Sequence, residues 1–296
     1  MIMLMEINII TAALLAILGL AMGSFAGATV WRLRVRQLAE DKSRGDRSST
    51  KDYKKLSYLL KPISKDRSHC LECQHELKWY DLLPLVSWLS LGGKCRYCQK
   101  PIGRTEPLVE LGVAAFFVLS YVLWPVALQA PIDIAQFVIW LTAGVLLTIL
   151  FIYDLKWFLL PDSITFSVVG LGAILSLLRL TQSGDITASL WSLVGSVVIL
   201  SGLYFVIYIG SKGKMIGFGD IKLGLGLALL LGDWALAFLA LFLANFIGCL
   251  IVLPAMLRGK LSRKSHIPFG PLLIAGFAIT GLVGHQLIAQ YMNLLF

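Results

Sequence analysis

The chain has 296 residues, of which 57% are hydrophobic and only 15% are charged, whereas about 25% of the residues in an ordinary soluble domain are charged. This composition excludes an ordinary soluble protein. The mean hydropathy of +0.80 also excludes a disordered chain, because disorder requires low hydrophobicity and high charge. The net charge of +9 is typical either of nucleic-acid binding or of the basic cytoplasmic loops of a membrane protein.

Eight apolar runs are long enough, or nearly so, to cross a membrane as helices, which takes about 20 residues. They cover residues 9–30, 108–128, 132–153, 164–180, 186–209, 221–231, 234–257 and 269–296. The sixth run is short and glycine-rich, so seven helices remain an alternative. We therefore predict an all-α polytopic protein of the lipid bilayer with about eight transmembrane helices.

The basic residues indicate the orientation of these helices. Of the 26 Lys and Arg residues, 16 lie in residues 33–106, and most others lie at 156, 212–222 and 258–264. If eight helices alternate, all these clusters share one side, which the positive-inside rule assigns to the cytoplasm. Both termini are then expected outside. Seven helices would place the cluster at 258–264 on the opposite side, so the charges favour eight.

The polar segment at residues 33–106 has a net charge of +7 and predicts a cytoplasmic domain. It divides the chain into a first transmembrane helix at 1–32, this domain, and a membrane domain at 107–296. Its first half is hydrophilic, which favours a solvated loop over an amphipathic helix on the membrane surface. No nucleic-acid partner is expected, because the topology explains the basic residues and no stacking aromatics are interleaved with them.

This domain contains two CxxC pairs, Cys70 with Cys73 and Cys95 with Cys98. The two pairs are separated by 21 residues. The spacing is typical of a structural zinc site with four cysteine ligands. Disulfides are the alternative, but the predicted cytoplasmic location is reducing. Thioredoxin-like chemistry is a second alternative, and no βαβ pattern accompanies the pairs. His69 and His75 flank the first pair and are interpreted as surface residues, and Cys249 as a small buried residue of the seventh helix.

Two aspartates are candidates for catalysis, because carboxylates in or beside transmembrane segments are costly. Asp154 ends the third apolar run, and Asp220 begins the sixth, after Gly217 and Gly219. The predicted topology puts both at the cytoplasmic face. Paired carboxylates can share one proton, so that one activates water and the other donates to a peptide carbonyl, as in aspartic proteases.

A structural role for these acids is the alternative interpretation. Asp154 or Asp220 would then cap a helix or pair with Lys156 or Lys222. Asp162 follows Pro161 and is expected to cap the fourth helix.

Several motifs together resemble one family. They are GSF at 23–25, the four-cysteine stretch at 69–110, LLPD at 159–162, GFGDIKL at 217–223 and IPFGP at 267–271. The GxGD motif with an earlier helix-terminal Asp resembles the GxGD intramembrane aspartyl proteases. The four-cysteine stretch resembles the cytoplasmic domain of the bacterial type IV prepilin peptidases, and the resemblance covers nearly the whole chain.

The resemblance implies a bifunctional enzyme of the bacterial inner membrane. Such an enzyme removes the basic leader from type IV prepilins or type II secretion pseudopilins on the cytoplasmic side. It then methylates the new N-terminal residue with S-adenosylmethionine, although the sequence contains no recognisable motif for this donor. The implied catalytic pair is Asp154 and Asp220, the implied supporting residues are Gly217, Gly219, Asp162 and Lys222, and the implied zinc ligands are the four cysteines.

The motifs depart from the family pattern at two places, both in the part associated with methylation. Gly27 stands where Asn is usual, and Thr105-Glu106 stands where Arg-Tyr is usual. A function of another class also fits the residues: a membrane scaffold that binds a partner through its zinc domain, with the aspartates as helix caps. A transporter is disfavoured, because no acidic residue falls near the centre of an apolar run.

Overall fold

The computed structural model describes residues 8–45, 50–60, 67–259 and 267–295, and most of them are helical. Within these ranges no β-strand occurs, apart from two isolated β-bridges. The α-helices are α1 (Ile9–Ser43), α2 (Thr50–Leu56), α3 (Val86–Ser90), α4 (Thr105–Leu123), α5 (Pro131–Trp157), α6 (Asp162–Gln182), α7 (Ile186–Val197), α8 (Leu203–Ser211), α9 (Phe218–Leu231), α10 (Trp234–Leu257) and α11 (Gly270–Leu295). The predicted all-α polytopic fold is confirmed.

The chain forms two compact units, Met1–Val122 and Leu123–Phe296. In the first unit, α1 has 35 residues, or about 52 Å, far more than a bilayer crossing needs. Beyond the membrane length, Val35 and Leu38 are fully buried and pack with Leu56 of α2. The described part of the hydrophilic segment is therefore helical and packed, which differs from the solvated loop expected there. Residues 46–49 and 61–66 lie outside the described ranges.

Helices α1 and α4 cross within the first unit at small residues. A Cβ atom added to Gly23 would lie 2.6 Å from the Cα atom of Glu110, and one added to Gly19 would lie 2.6 Å from that of Ala114. Only glycine permits such backbone contact, which is the usual way in which membrane helices pack closely. This crossing places the GSF motif beside the start of α4.

The second unit is a bundle of α5 to α11, in which α7 and α8 are joined by a π-helical turn at Val198–Gly202. Among the residues that the structure describes in the two units, seven helical segments are long and apolar enough to span a membrane. Exposed Phe238, Phe242 and Phe246 recur every four residues along α10. Such an apolar face on a helix surface is suited to contact with lipid.

The helix at the sixth apolar run, α9, is the one that the count of seven leaves out. It has 14 residues, or about 21 Å. It nevertheless follows α6 over most of its length, because both of its ends bind α6. Lys222 in its first turns pairs with Asp162, and Arg179 donates hydrogen bonds of 2.7 and 2.9 Å to the carbonyls of Leu230 and Leu231. The short sixth run is therefore a helix that crosses this bundle. Of the basic cluster at 258–264, residues 260–264 lie outside the described ranges.

Candidate active site and metal site

Asp154 lies in the last turn of α5 and is 5% exposed. Its Oδ2 atom accepts a hydrogen bond of 3.1 Å from the backbone N–H of Gly270. Gly270 is the first residue of α11, where the unpaired N–H groups of a helix stabilise negative charge. The structure thus holds the Asp154 carboxyl at the amino end of another helix.

Gly270 also explains the IPFGP motif at 267–271. A Cβ atom at this position would lie 2.7 Å from Asp154 Oδ2, which is too close for a non-bonded contact. The sequence indicated a motif here but not its role, because nothing in the local pattern connects residues 116 positions apart.

Asp220 is the third residue of α9, and Gly217 is the residue that precedes this helix. The backbone N–H of Asp220 donates to the Gly217 carbonyl at 3.2 Å. A Cβ atom on Gly217 would lie 3.5 Å from Asp220 Oδ2, which is an ordinary van der Waals distance and places residue 217 beside the carboxyl. The GxGD motif therefore forms the start of a helix with its acid in the first turn.

Leu160 connects the surroundings of the two aspartates. A Cβ atom on Gly219 would lie 3.3 Å from Leu160 Cβ, and one on Gly270 would lie 3.5 Å from Leu160 Cδ2. Asp154 and Asp220 lie close enough for their charges to interact. Two carboxyls from separate helices thus lie in the same neighbourhood of the second unit, around Leu160.

Asp162 and Lys222 form an ion pair beside this site. Pro161 is the N-cap residue of α6 and Asp162 is the first residue of the helix itself, so the expectation that Asp162 caps it is wrong. Its carboxylate instead pairs with Lys222, whose ammonium group also lies over the rings of Phe166 and Phe218. The pair joins the starts of α6 and α9. Lys222, the alternative ion-pair partner for Asp220, therefore binds Asp162 instead.

Tyr204 is a neighbour of the site that the sequence did not single out. It is 5% exposed, its ring centroid lies 5.3 Å from that of Phe269, and it interacts electrostatically with Asp220. Within the described part of the chain, its hydroxyl makes no hydrogen bond within 3.5 Å, although the Asn245 side chain of α10 lies near enough to interact with it. Its position 16 residues before the GxGD acid is the only sequence signal that Tyr204 offers.

The sulfur atoms of Cys70, Cys73, Cys95 and Cys98 all lie within 4.8 Å of one another. The Cys70 and Cys98 sulfurs are 3.9 Å apart, close to the roughly 3.8 Å between thiolates on a tetrahedral zinc ion with bonds of about 2.3 Å. This cluster can bind a metal ion. The two neighbouring histidines are not part of this cluster. The ring centroid of His75 lies 3.6 Å from that of Tyr97, and His69 Nδ1 lies 2.7 Å from the Arg67 carbonyl.

Both CxxC turns have the same backbone geometry. The N–H of Gln74 donates to the Cys70 carbonyl at 2.9 Å, and that of Gln99 donates to the Cys95 carbonyl at 2.9 Å. Gln74 and Gln99 both adopt the left-handed conformation, with φ of 60° and 56°. Each turn therefore brings its two thiols to the same side of the backbone, toward the shared cluster. Cys249, in contrast, is exposed on α10, so the expectation that it is buried is wrong.

Charged pairs surround the cluster. Glu72 binds Lys55 at 2.9 Å and Lys100 at 3.0 Å, and these hydrogen bonds lower the pKa of the Glu72 carboxyl. Asp81 binds Arg96 Nε at 2.7 Å. Burial by itself raises the pKa of Asp81, but hydrogen bonds from Arg96, the Lys78 N–H and Tyr97 outweigh it and hold this pKa below its ordinary value.

Comparison with known families agrees with this arrangement. Residues 17–124 match the family described as Bacterial Peptidase A24 N-terminal domain, and residues 141–253 match the Type IV leader peptidase family. A protein of Escherichia coli named type 4 prepilin-like proteins leader peptide-processing enzyme is 33% identical over 87% of this chain and 88% of its own length. The chain belongs to the type IV leader peptidase family.

Other relatives in this family carry a name with two activities. A prepilin leader peptidase/N-methyltransferase of Burkholderia pseudomallei is 31% identical over 90% of this chain and 84% of its own length. One of Pseudomonas aeruginosa is 30% identical over 94% of this chain and 92% of its own length. No solved structure matches the chain. Both matched regions include candidate sites: the first contains the four cysteines, and the second contains both aspartates.

Proposed function

We propose that this protein removes the leader from type IV prepilins or type II secretion pseudopilins, with Asp154 and Asp220 as the catalytic pair. The observation that supports the proposal is the proximity of these two carboxyls, from α5 and α9, on either side of Leu160 in a member of the leader peptidase family. Asp154 is buried and bound by Gly270, as expected for a carboxyl held in a defined position.

The chemistry requires a pair of carboxyls with one proton between them, which closely spaced acids favour. The unprotonated carboxyl takes a proton from water, whose oxygen attacks the carbonyl carbon of the scissile peptide. The other carboxyl gives its proton to the carbonyl oxygen. When the tetrahedral intermediate collapses, the C–N bond breaks and the leaving amine takes the proton that the first carboxyl received from water. The second carboxyl recovers its proton from the hydroxyl formed on the carbonyl oxygen, so the pair again holds one proton.

We place this site on the cytoplasmic side of a bacterial inner membrane, with both termini outside. The charges support this orientation, since the basic clusters share one side when α9 counts as a crossing. Gly217 and Gly219 allow the start of α9 to approach its neighbours, and the pair of Asp162 with Lys222 fixes that start against α6. The basic leader of the substrate would be presented at this same face.

Zinc is the metal that the cysteine cluster suits best, because four thiolates at tetrahedral distances are its usual structural ligands. Four sulfur ligands leave no position for water, so the ion would stabilise the fold of the module and take no part in hydrolysis. The described residues of the module form no β-sheet and contain only two isolated β-bridges, His69 with Glu76 and Lys94 with Pro101. We therefore expect the module to depend on its metal for a fixed shape.

The second proposed activity is methylation of the new N-terminal amine of the cleaved pilin, with S-adenosylmethionine as donor. The two-activity names of the relatives support it. The cofactor would supply an electrophilic methyl group, and the protein must bind it, orient it and remove a proton from the amine.

The experiment uses the purified protein in lipid nanodiscs with a purified prepilin. We expect a product that has lost its leader, with or without S-adenosylmethionine, and a product heavier by one methyl group only when the donor is added. Mass spectrometry distinguishes the two products. A protein that binds the prepilin but releases no leader would instead be a scaffold, and the proposal would be wrong.

A further inference from the structure

A stripe of exposed apolar side chains runs along the cysteine module, which comprises residues 67–104. The stripe covers a 3₁₀ turn at Trp79–Leu82 and the whole of α3. Trp79 and Leu89, at its two ends, are 75% and 68% exposed. Its large exposed side chains are Trp79, Leu82, Leu83, Val86 and Leu89. So many in one short segment form a patch, and a patch of this kind marks a surface that something apolar covers.

The apolar stripe presents no charge of its own. In residues 79–93 the only charged residue is Asp81, and its side chain is 4% exposed because it binds Arg96 of the same module. Exposed Lys78 and Lys94 stand directly before and after this segment. An apolar segment that contains tryptophan and has basic residues at both ends is typical of a chain that lies at a lipid surface.

Two hydrogen bonds fix the height of the stripe relative to α4. The N–H of Leu85, in the middle of the stripe, donates to Glu110 Oε2 at 2.8 Å, and Trp88 Nε1 donates to the Gly103 carbonyl at 3.3 Å. Gly103 lies two residues before α4, and Glu110 lies in its second turn. Side chains of a helix tilt toward its amino end, so both bonds hold the stripe level with the first turn of α4.

The backbone of Leu85 shows that this position is enforced. Its φ of 57° is unfavourable for a residue with a Cβ atom. A strained conformation persists only where the surrounding structure holds it, and here the bond from Leu85 to Glu110 does so. The stripe is therefore a fixed part of the first unit.

The start of α4 lies at a level where the first unit is still apolar. Helices α1 and α4 run in opposite directions, since successive glycine contacts move forward along α1 and backward along α4, and Gly23 lies against Glu110. Residues 9–31 of α1 contain no charge, and the first charged residue is Arg32, about 13 Å beyond Gly23 along the axis. The apolar part of α1 thus extends past the level at which Glu110 holds the stripe.

The length of α4 leads to the same level. It has 19 residues, or about 28 Å, which is barely the thickness of the hydrocarbon core of a bilayer. Its first turn therefore lies at the edge of that core. Leu108 and Leu111, in the first two turns, are exposed as expected for side chains in contact with lipid. The stripe, held at the same height, continues the lipid-facing surface of α4.

We propose that the apolar stripe is inserted into the bilayer, at the boundary between headgroups and acyl chains, and anchors the cysteine module to the membrane surface. The acyl chains would cover Trp79, Val86 and Leu89, and anionic headgroups would pair with Lys78 and Lys94. The module is then held at a fixed depth beside the start of α4. This inference rests on the membrane location of the chain and is independent of the roles proposed for the aspartates.

The test measures the depth of the stripe in the full chain in nanodiscs of phosphatidylcholine and phosphatidylglycerol. A fluorescent unnatural amino acid replaces Val86, because dyes attached to cysteine would attack the metal cluster. Glu76 is the matched control position, since it is exposed in the same module but outside the stripe. Lipids brominated at two acyl positions quench a dye according to its depth. We expect strong quenching at residue 86, at a depth of about 5–10 Å, and none at residue 76.

A dye at residue 86 that brominated lipid leaves unquenched would overturn the inference. If that dye is unquenched but its emission shifts to the blue when prepilin is added, the stripe binds protein, and the inference is equally wrong. Neither result would bear on leader cleavage, which is measured separately.

A double variant tests whether the stripe itself causes the insertion. With the dye at residue 79, Val86→Ser combined with Leu89→Ser should reduce quenching, because both side chains are exposed and their loss removes apolar contact with lipid. Metal content and a thermal melt report whether the variant is folded. Unchanged quenching in a folded variant would contradict the anchor, and if the variant does not fold, the depth at residue 86 decides.

Discussion

Gly270 donates its backbone N–H to Oδ2 of Asp154 at 3.1 Å, across 116 residues of sequence. The contact brings the start of α11 to the end of α5 and gives the buried carboxyl a defined orientation. Because a Cβ atom at residue 270 would lie 2.7 Å from the same oxygen, the contact depends on glycine.

Gly270→Ala is therefore expected to displace the Asp154 carboxyl and to reduce leader cleavage at least tenfold. A displacement of about 1 Å at a catalytic group has effects of this size or larger. Initial rates on a purified prepilin measure the effect. Gly170→Ala in α6 is the matched control, because a Cβ atom there has nothing within 4 Å; equal rates for the two variants would show that the contact does not position the acid.

Tyr204→Phe separates a structural from a functional role for the buried hydroxyl. Phenylalanine retains the ring and removes only the hydroxyl, which makes no hydrogen bond within 3.5 Å among the described residues, so the melting temperature should stay the same or rise. If the hydroxyl contacts the substrate near Asp220, kcat for cleavage should fall about tenfold with KM nearly unchanged, as for an interaction formed in the transition state. A more stable variant with wild-type kcat would contradict a functional role.

Removal of a metal ligand should unfold the cysteine module. Cys95→Ser is expected to lower the metal content and to expose residues 67–104 to limited proteolysis, because the metal supplies much of the folding free energy in such modules. Cys249→Ser is the matched control, since Cys249 is exposed on α10, outside the cluster. A Cys95→Ser protein that retains metal with wild-type affinity would show that this thiol is not a ligand.

Acid should loosen the same module through Asp81. Its pKa is lower in the folded protein than in the unfolded chain, so its contribution to stability is complete above the unfolded value of about 3.9 and is lost as the pH falls through the folded value. We expect the melting temperature to fall below about pH 4, and Asp81→Asn to reduce this fall. Asp52→Asn, at an exposed acid of α2, should show the same fall in melting temperature as wild type. An equal dependence of the melting temperature on pH in both variants would contradict this role of Asp81.

Much of the architecture could be predicted because it depends on local patterns. Apolar runs located the membrane helices, since a bilayer demands about 20 apolar residues wherever a helix crosses. Even the short run at 221–231 is a helix, with Gly224 so close to the π-helical turn between α7 and α8 that a Cβ atom would lie 2.0 Å from the Leu200 carbonyl oxygen. Likewise, the CxxC spacing predicted the cluster, because each short turn determines where its two thiols point.

What the sequence did not predict are contacts between distant segments. The helical course of α1 to Ser43 depends on packing of Val35 and Leu38 against α2, which no periodicity in a hydrophilic stretch indicates. Asp162 was expected to cap α6, but a lysine 60 residues later pairs with it. The bond from Gly270 to Asp154 and the position of Tyr204 are of the same kind, since each arises from the arrangement of helices in the bundle.

Leader cleavage by the Asp154→Asn and Asp220→Asn proteins tests the central claim most directly. A prepilin is expressed in membranes with wild type, each variant, or Asp185→Asn, a control at the acid that caps α7, where Asn also caps well. The product is identified by its mass, and enzyme amounts are matched. The account predicts cleavage by wild type and Asp185→Asn and at least a thousandfold loss in both catalytic variants; cleavage at the wild-type rate by either catalytic variant would contradict it.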